Sequence, residues 1–135
     1  MKNSMISKPS KKAKLFALLI IATLILTTAC NTAENGSGGS YTFTLEVTDA
    51  SGNVTTKIIE TSEQTVGAAL LSVGIIEGIE SDFGLMVEYV NGIRADFNED
   101  NAWWAFYING EMAMAGVDGT NIEEGATYAF IFTPA

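Results

Sequence analysis

The chain has 135 residues with a formal net charge of −9, seven basic and sixteen acidic residues, no histidine and one cysteine. Histidine-dependent triads, Cys-His nucleophiles, zinc sites built on histidine or several cysteines, and an internal disulfide are thereby excluded, so catalysis would have to rest on carboxylates alone. Five of the seven basic residues lie in the first fourteen positions, leaving Lys57 and Arg94 against all sixteen carboxylates beyond them; a surface of that sign repels phosphate backbones and argues against nucleic-acid binding.

Lys8, Lys11, Lys12 and Lys14 precede an apolar run, LFALLIIATLIL, at 15–26. At about 1.5 Å per residue it spans roughly 18 Å as a helix, short of the ~30 Å hydrocarbon core of a bilayer. That is the length of a signal-peptide core rather than of a permanent span. Thr27-Thr28-Ala29-Cys30 then resembles a bacterial lipoprotein signal. The resemblance implies that residues 1–29 are removed and that Cys30 is lipidated, tethering the chain to the extracytoplasmic face of the cell membrane of a Gram-positive-type bacterium. An ordinary secretory signal with an incidental cysteine is the alternative. Residues 31–40, NTAENGSGGS, contain no apolar side chain larger than alanine and are expected to form a flexible linker.

The folded part is expected over 41–135. Tyr41, Phe43, Leu45 and Val47 alternate with polar residues, the two-residue period of a strand with one buried face. Asp49 to Asn53 is turn chemistry, and Val54 to Glu60 is the returning strand. Ser62 or Thr65 caps a helix whose apolar positions Val66, Ala69, Leu70, Val73 and Ile76 recur at helical spacing, with Gly67 weakening it and Gly74 ending it. Residues 75–84, with two glycines among acids and aliphatics, are expected to be a connecting loop.

Leu85 to Val90 reads as a strand, Asn91-Gly92 as a hairpin turn, and Ile93, Ala95 and Phe97 continue the alternation. Trp103 to Ile108 is an aromatic and β-branched strand followed by Asn109-Gly110, a second turn of the same kind, so Glu111 to Ala115 should run back antiparallel. A glycine-punctuated, acidic connection from Gly116 to Gly125 leads to a last strand, Ala126 to Thr133, closed by Pro134. The element order predicts a small α+β domain, one helix packed on a mixed or antiparallel sheet.

Two sets of side chains are candidate binding groups. Trp103 and Tyr107 share one strand face while Trp104, Phe106 and Ile108 share the other. With Met112 and Met114 on the return strand, Trp103 and Tyr107 offer flat aromatic and adaptable thioether surface, suited to a large, partly apolar ligand such as a corrin, a sugar ring or a peptide. Packing under the helix or a second sheet face is the competing role. Asp96, Asn98 and Asp100 place oxygens at alternate positions, as calcium loops do, although the sixth position is Asn101 and the twelfth Tyr107, where such loops carry glycine and glutamate. A solvated acidic turn is the competing explanation there. Asp118, Glu123 and Glu124 form a further acidic group.

Three segments, TVGAALLSVGI, YVNGIRADFNEDNAWWAFYINGEMA and GVDGTNIEEGATYAFIF, together resemble the bacterial transcobalamin-like C-terminal domain family, a domain of unknown function carried on lipoproteins and similar to the β-domain of transcobalamin and intrinsic factor. The resemblance covers about Tyr41 to Thr133. It implies a β-grasp-like fold and a binding module rather than an enzyme, with no cofactor required, a corrinoid (cobalamin-like) or other small molecule as ligand, and delivery to a membrane transporter as its use. A surface domain binding a divalent, calcium-like cation and a cell-surface adhesion or protein-interaction module are the alternatives.

Overall fold

The computed structural model describes residues 38–135; Cys30 and the segment read as a signal lie outside the described residues. β1 (Tyr41–Thr48) and β2 (Val54–Thr61) form the expected opening hairpin, Phe43 opposite Ile59 and Val47 opposite Thr55. Its turn is organised by Asp49, whose Oδ1 accepts from the Ser51 and Asn53 amides at 2.8 and 2.9 Å. The side-chain bond from Asn53 and these amide bonds hold the Asp49 carboxyl below the usual carboxylate range.

Of the two candidate caps, Thr65 starts the helix α1 (Val66–Ser72), its Oγ1 accepting from the Ala68 amide at 3.3 Å. The helix buries Val66, Gly67, Ala69 and Leu70. Gly67 has a packing role that propensity alone misses. A Cβ there would lie 3.0 Å from the Asp118 backbone nitrogen, so glycine lets α1 lie against the 3-10 turn Val117–Gly119 more closely than a larger residue would without a shift of that turn.

The stretch expected to be a connecting loop is instead β3 (Ile76–Ser81), antiparallel to β4 (Gly84–Val90), and Ile76 belongs to this strand rather than to the helix. Its glycine marks an irregularity within the strand and not an exit from it: the register shifts between Glu77 and Gly78, and a Cβ on Gly78 would overlap the Met86 carbonyl oxygen. β5 (Ile93–Arg94) completes this three-stranded sheet. The alternation expected to continue to Phe97 stops there, because the Ala95 amide reaches back to the Glu88 carbonyl at 2.8 Å and Asp96 opens a turn.

β6 (Ala102–Ile108), β7 (Glu111–Met112) and β8 (Thr127–Pro134) join β1 and β2 in a second sheet, in the order β2-β1-β8-β6-β7. The return strand expected over 111–115 pairs only as far as Met112. β1 and β8 are parallel and the other pairings antiparallel, so the sheet is mixed. The fold is therefore α+β and predominantly strand, with two sheets where the sequence pattern suggested one.

The two-residue period settles which face of the second sheet is core. Phe43, Leu45 and Val47 of β1, Tyr128 and Phe130 of β8 and Trp104 of β6 are buried with Val66, Ala69 and Leu70 of α1. Phe106 and Phe132 pack partly against them. The Trp104 indole N–H donates to the Ile93 carbonyl at 3.2 Å, and its ring meets Phe132 edge-on at 5.4 Å. Trp103, on the opposite face, is 39% exposed against 5% for Trp104. Urea unfolding should separate the two neighbours: Trp104→Ala is expected to cost about 3–5 kcal/mol and Trp103→Ala less than about 1 kcal/mol.

Candidate functional site

The β6–β7 turn is the first element of the site. Asn109 and Gly110 both have positive φ, +49° and +86°, the geometry a two-residue hairpin of this hand requires. The turn is fastened to β8 as well: the Asn109 amide donates to the Thr127 carbonyl at 2.7 Å, and the Thr127 amide donates to Asn109 Oδ1 at 2.9 Å. Past β7, the Ala113 amide still reaches the Phe106 carbonyl at 3.0 Å, after which the chain leaves the sheet.

The facing wall is the connection from Gly116 to Gly125. It is held at three points. Thr120 Oγ1 donates to the Gly116 carbonyl at 2.8 Å, the Val66 amide to the Thr120 carbonyl at 3.0 Å, and the Ile122 amide to the Gln64 carbonyl at 3.0 Å. From beneath, the buried Tyr128 hydroxyl accepts from the Glu123 amide at 2.9 Å and donates to the Asn121 carbonyl at 3.3 Å.

Between these walls lies an open cleft of about 640 Å³. Met112, Met114 and Ile108 supply apolar surface; Asn109, Asn121, Glu111 and Glu123 supply polar groups. No lysine or arginine lines it. Such a surface can take a neutral or cationic ligand with an apolar body, and the two carboxylates disfavour an anion.

Of the four side chains singled out for ligand binding, Met112 and Met114 line this cleft and Trp103 and Tyr107 do not. Tyr107 stands directly across from Met112 in the ladder and Trp103 lies four residues back along β6, both on the sheet face away from the core. Asn121 and Glu123 were not visible as partners of Met112 in the sequence, since what brings them there is the hydroxyl of Tyr128.

The acidic turn at 96–100 is organised around its own bonds. Asp96 Oδ1 accepts from the Asn98 and Glu99 amides, each at 2.8 Å. Asp100 is gripped by Arg94, Nε to Oδ2 at 2.9 Å and Nη2 to Oδ1 at 3.0 Å, while Arg94 Nη1 also pairs with Glu99 at 2.9 Å. The guanidinium bonds hold the Asp100 carboxyl below the usual range, and Asp100 with Glu99 pushes the Arg94 pKa up. Asp118 and Glu124 are likewise engaged with backbone, accepting from the Leu85 and Thr42 amides at 3.1 and 2.8 Å. Among the described residues no three acidic side chains gather as a metal-holding group, so the oxygens of 96–100 would need rearrangement to converge on an ion.

The profile of the family described as Domain of unknown function (DUF4430) matches residues 63–133, from just before α1 to the end of β8. The chain belongs to the DUF4430 family. DUF4430 is transcobalamin-like, as the three segments suggested. A search of the curated proteins finds no match. Among solved structures, this DUF4430 chain is similar to a proposed metal-binding protein from Ruminococcus gnavus ATCC 29149, at 20% identity and a TM-score of 0.66, covering 70% of this chain and 98% of that one. It is also similar to haptocorrin in complex with Cbi, at 13% identity and a TM-score of 0.61, covering 78% of this chain and 28% of that one. At these identities the likeness establishes a shared fold, and the chain spans little more than a quarter of haptocorrin.

Proposed function

We propose that this DUF4430 domain is a binding module, not an enzyme, and that it captures a small ligand in the cleft between the β6–β7 turn and the 119–123 loop. The observation that carries the reading is the cleft itself: thioether and aliphatic surface beside convergent amide and carboxylate groups, on walls that backbone hydrogen bonds hold in place. A corrinoid is the ligand class we favour, since the fold is shared with haptocorrin, a protein solved with Cbi bound. The β-grasp name for the arrangement of one helix over a mixed sheet belongs to the same proposal. So does the membrane setting, in which lipidated Cys30 tethers the domain on the extracytoplasmic face and the captured ligand passes to a membrane transporter.

A second reading places a divalent cation on Asp96, Asn98 and Asp100, supported by likeness to the Ruminococcus gnavus protein. It requires Asp100 to exchange the Arg94 guanidinium for the ion.

Three measurements bear on these proposals. Calorimetric titration with cobinamide should give saturable binding, weakened at least tenfold by Ala115→Trp, which fills the cleft from an exposed position; absent heat, or an unaffected variant, would remove the cleft reading. Cys30→Ser should move the chain from the membrane pellet to the soluble fraction, and a variant still in the pellet argues against the lipid tether. For the second reading, calcium should raise the melting temperature, and more so in Arg94→Ala, because an ion that binds only the folded state adds to its stability. A melting curve indifferent to calcium and to chelator in both proteins excludes it.

A further inference from the structure

Met112 and Met114 are unusual in where they stand. Methionine ordinarily fills irregular gaps in cores, yet Met112 is 55% exposed and Met114 wholly so. Neither belongs to the core cluster, and both line the same cleft. One residue separates them. Met112 ends β7 and Met114 follows in the bend where the chain leaves the sheet, so two unbranched side chains with three rotatable bonds each start two residues apart on one wall of the cleft and can close onto a single ion. Met112 is fixed by its pairing with Tyr107 and the following residue by the bond from Ala113 to Phe106, so the first donor is held and the second adjusts.

The chemistry of the donors selects the ion. Thioether sulfur is soft and uncharged, a ligand for Cu(I) rather than for magnesium or calcium, which require several oxygens at once. Zinc sites of the usual composition are ruled out by the absence of histidine and the single cysteine. Two neutral sulfurs leave the charge of the ion uncompensated, and Glu111 and Glu123 line the same cleft with no lysine or arginine among its walls. We propose that Met112 and Met114 form a binding site for a soft monovalent cation of the Cu(I) and Ag(I) class, with Glu111 or Glu123 as counter-charge. The inference rests on the cleft being the ligand-binding surface, and it names a second kind of occupant for it.

Silver is the suitable probe because it is monovalent and stable in air. The chain carrying Cys30→Ser is titrated with silver nitrate in chloride-free buffer, so that no thiol competes, and uptake is followed by calorimetry and native mass spectrometry. One ion per chain is expected, with at least tenfold weaker binding in Met112→Leu/Met114→Leu, whose side chains keep apolar volume and lose the soft donor; calcium nitrate should give no such response at this site. No stoichiometric silver uptake, or equal uptake by the double-leucine variant with an unchanged melting temperature, overturns the proposal. Single variants Met112→Leu and Met114→Leu, each expected to weaken binding, serve should the double variant fail to fold. A cobinamide titration of the same proteins keeps the two ideas apart. Silver bound and cobinamide not bound leaves the cation site standing without the organic ligand, whereas the converse removes the cation site alone.

Discussion

The side chain on which the rest is built is Tyr128. It is fully buried, and its ring meets Phe43 of β1 edge-on at 5.1 Å and lies nearly parallel to Phe106 of β6 with centroids 6.1 Å apart. One residue thus joins the last strand to the strands on either side of it. A buried phenol must place its hydroxyl in hydrogen bonds or lose the stabilisation its ring provides. Here both bonds go to backbone of the 121–123 loop. The same side chain that closes the core therefore sets the position of one wall of the cleft.

From that fixed wall the geometry of the site follows outward. The opposite wall is a hairpin whose turn residue, Asn109, bonds β8 through both its backbone and its side chain, so the two sides share β8 as a common reference. Neither wall depends on a long unsupported loop, which is what a preorganised binding surface requires. The electrostatics are as one-sided as the composition. Of the two basic side chains in the described domain, Arg94 is engaged with Asp100 and Glu99, and Lys57 reaches Asn91 at 3.4 Å. Neither lines the cleft.

Much of the fold was legible because particular residues have only one comfortable conformation. Asn91-Gly92 and Asn109-Gly110 announced their hairpins through positive φ, and the alternation in Tyr41–Thr48 announced which face of β1 is buried. β3 was not legible. Its glycine reads as a breaker in isolation, and only the close approach of the Met86 carbonyl explains why a strand should carry one. Gly67 misleads in the same way, as a weak helix residue whose purpose is contact with a turn some fifty positions later. Half of the candidate site was visible and half was not. Met112 and Met114 stood out by type and spacing, whereas Asn121 and Glu123 join them through a hydroxyl bond that no local pattern encodes. The acidic turn was legible only in part: oxygens at alternate positions suggest an ion, whereas the grip of Arg94, two residues before Asp96, on Asp100 is a pairing that the spacing did not announce.

The parallel pairing of β1 with β8 has a consequence for how the domain comes into being. Thr44 lies beside Thr127 and Thr48 beside Ile131, so the middle of the larger sheet is made from opposite ends of the folded chain. The opening hairpin is local in sequence, but the ribbon that must lie between β1 and β6 is the strand furthest along the chain from β1. Contacts of such long sequence separation slow folding, since loop closure precedes their reward. Until that final strand arrives, the apolar face of β1 has no lateral neighbour on one side, and a chain interrupted near residue 120 would expose the hydrophobic seam around which the domain is later closed.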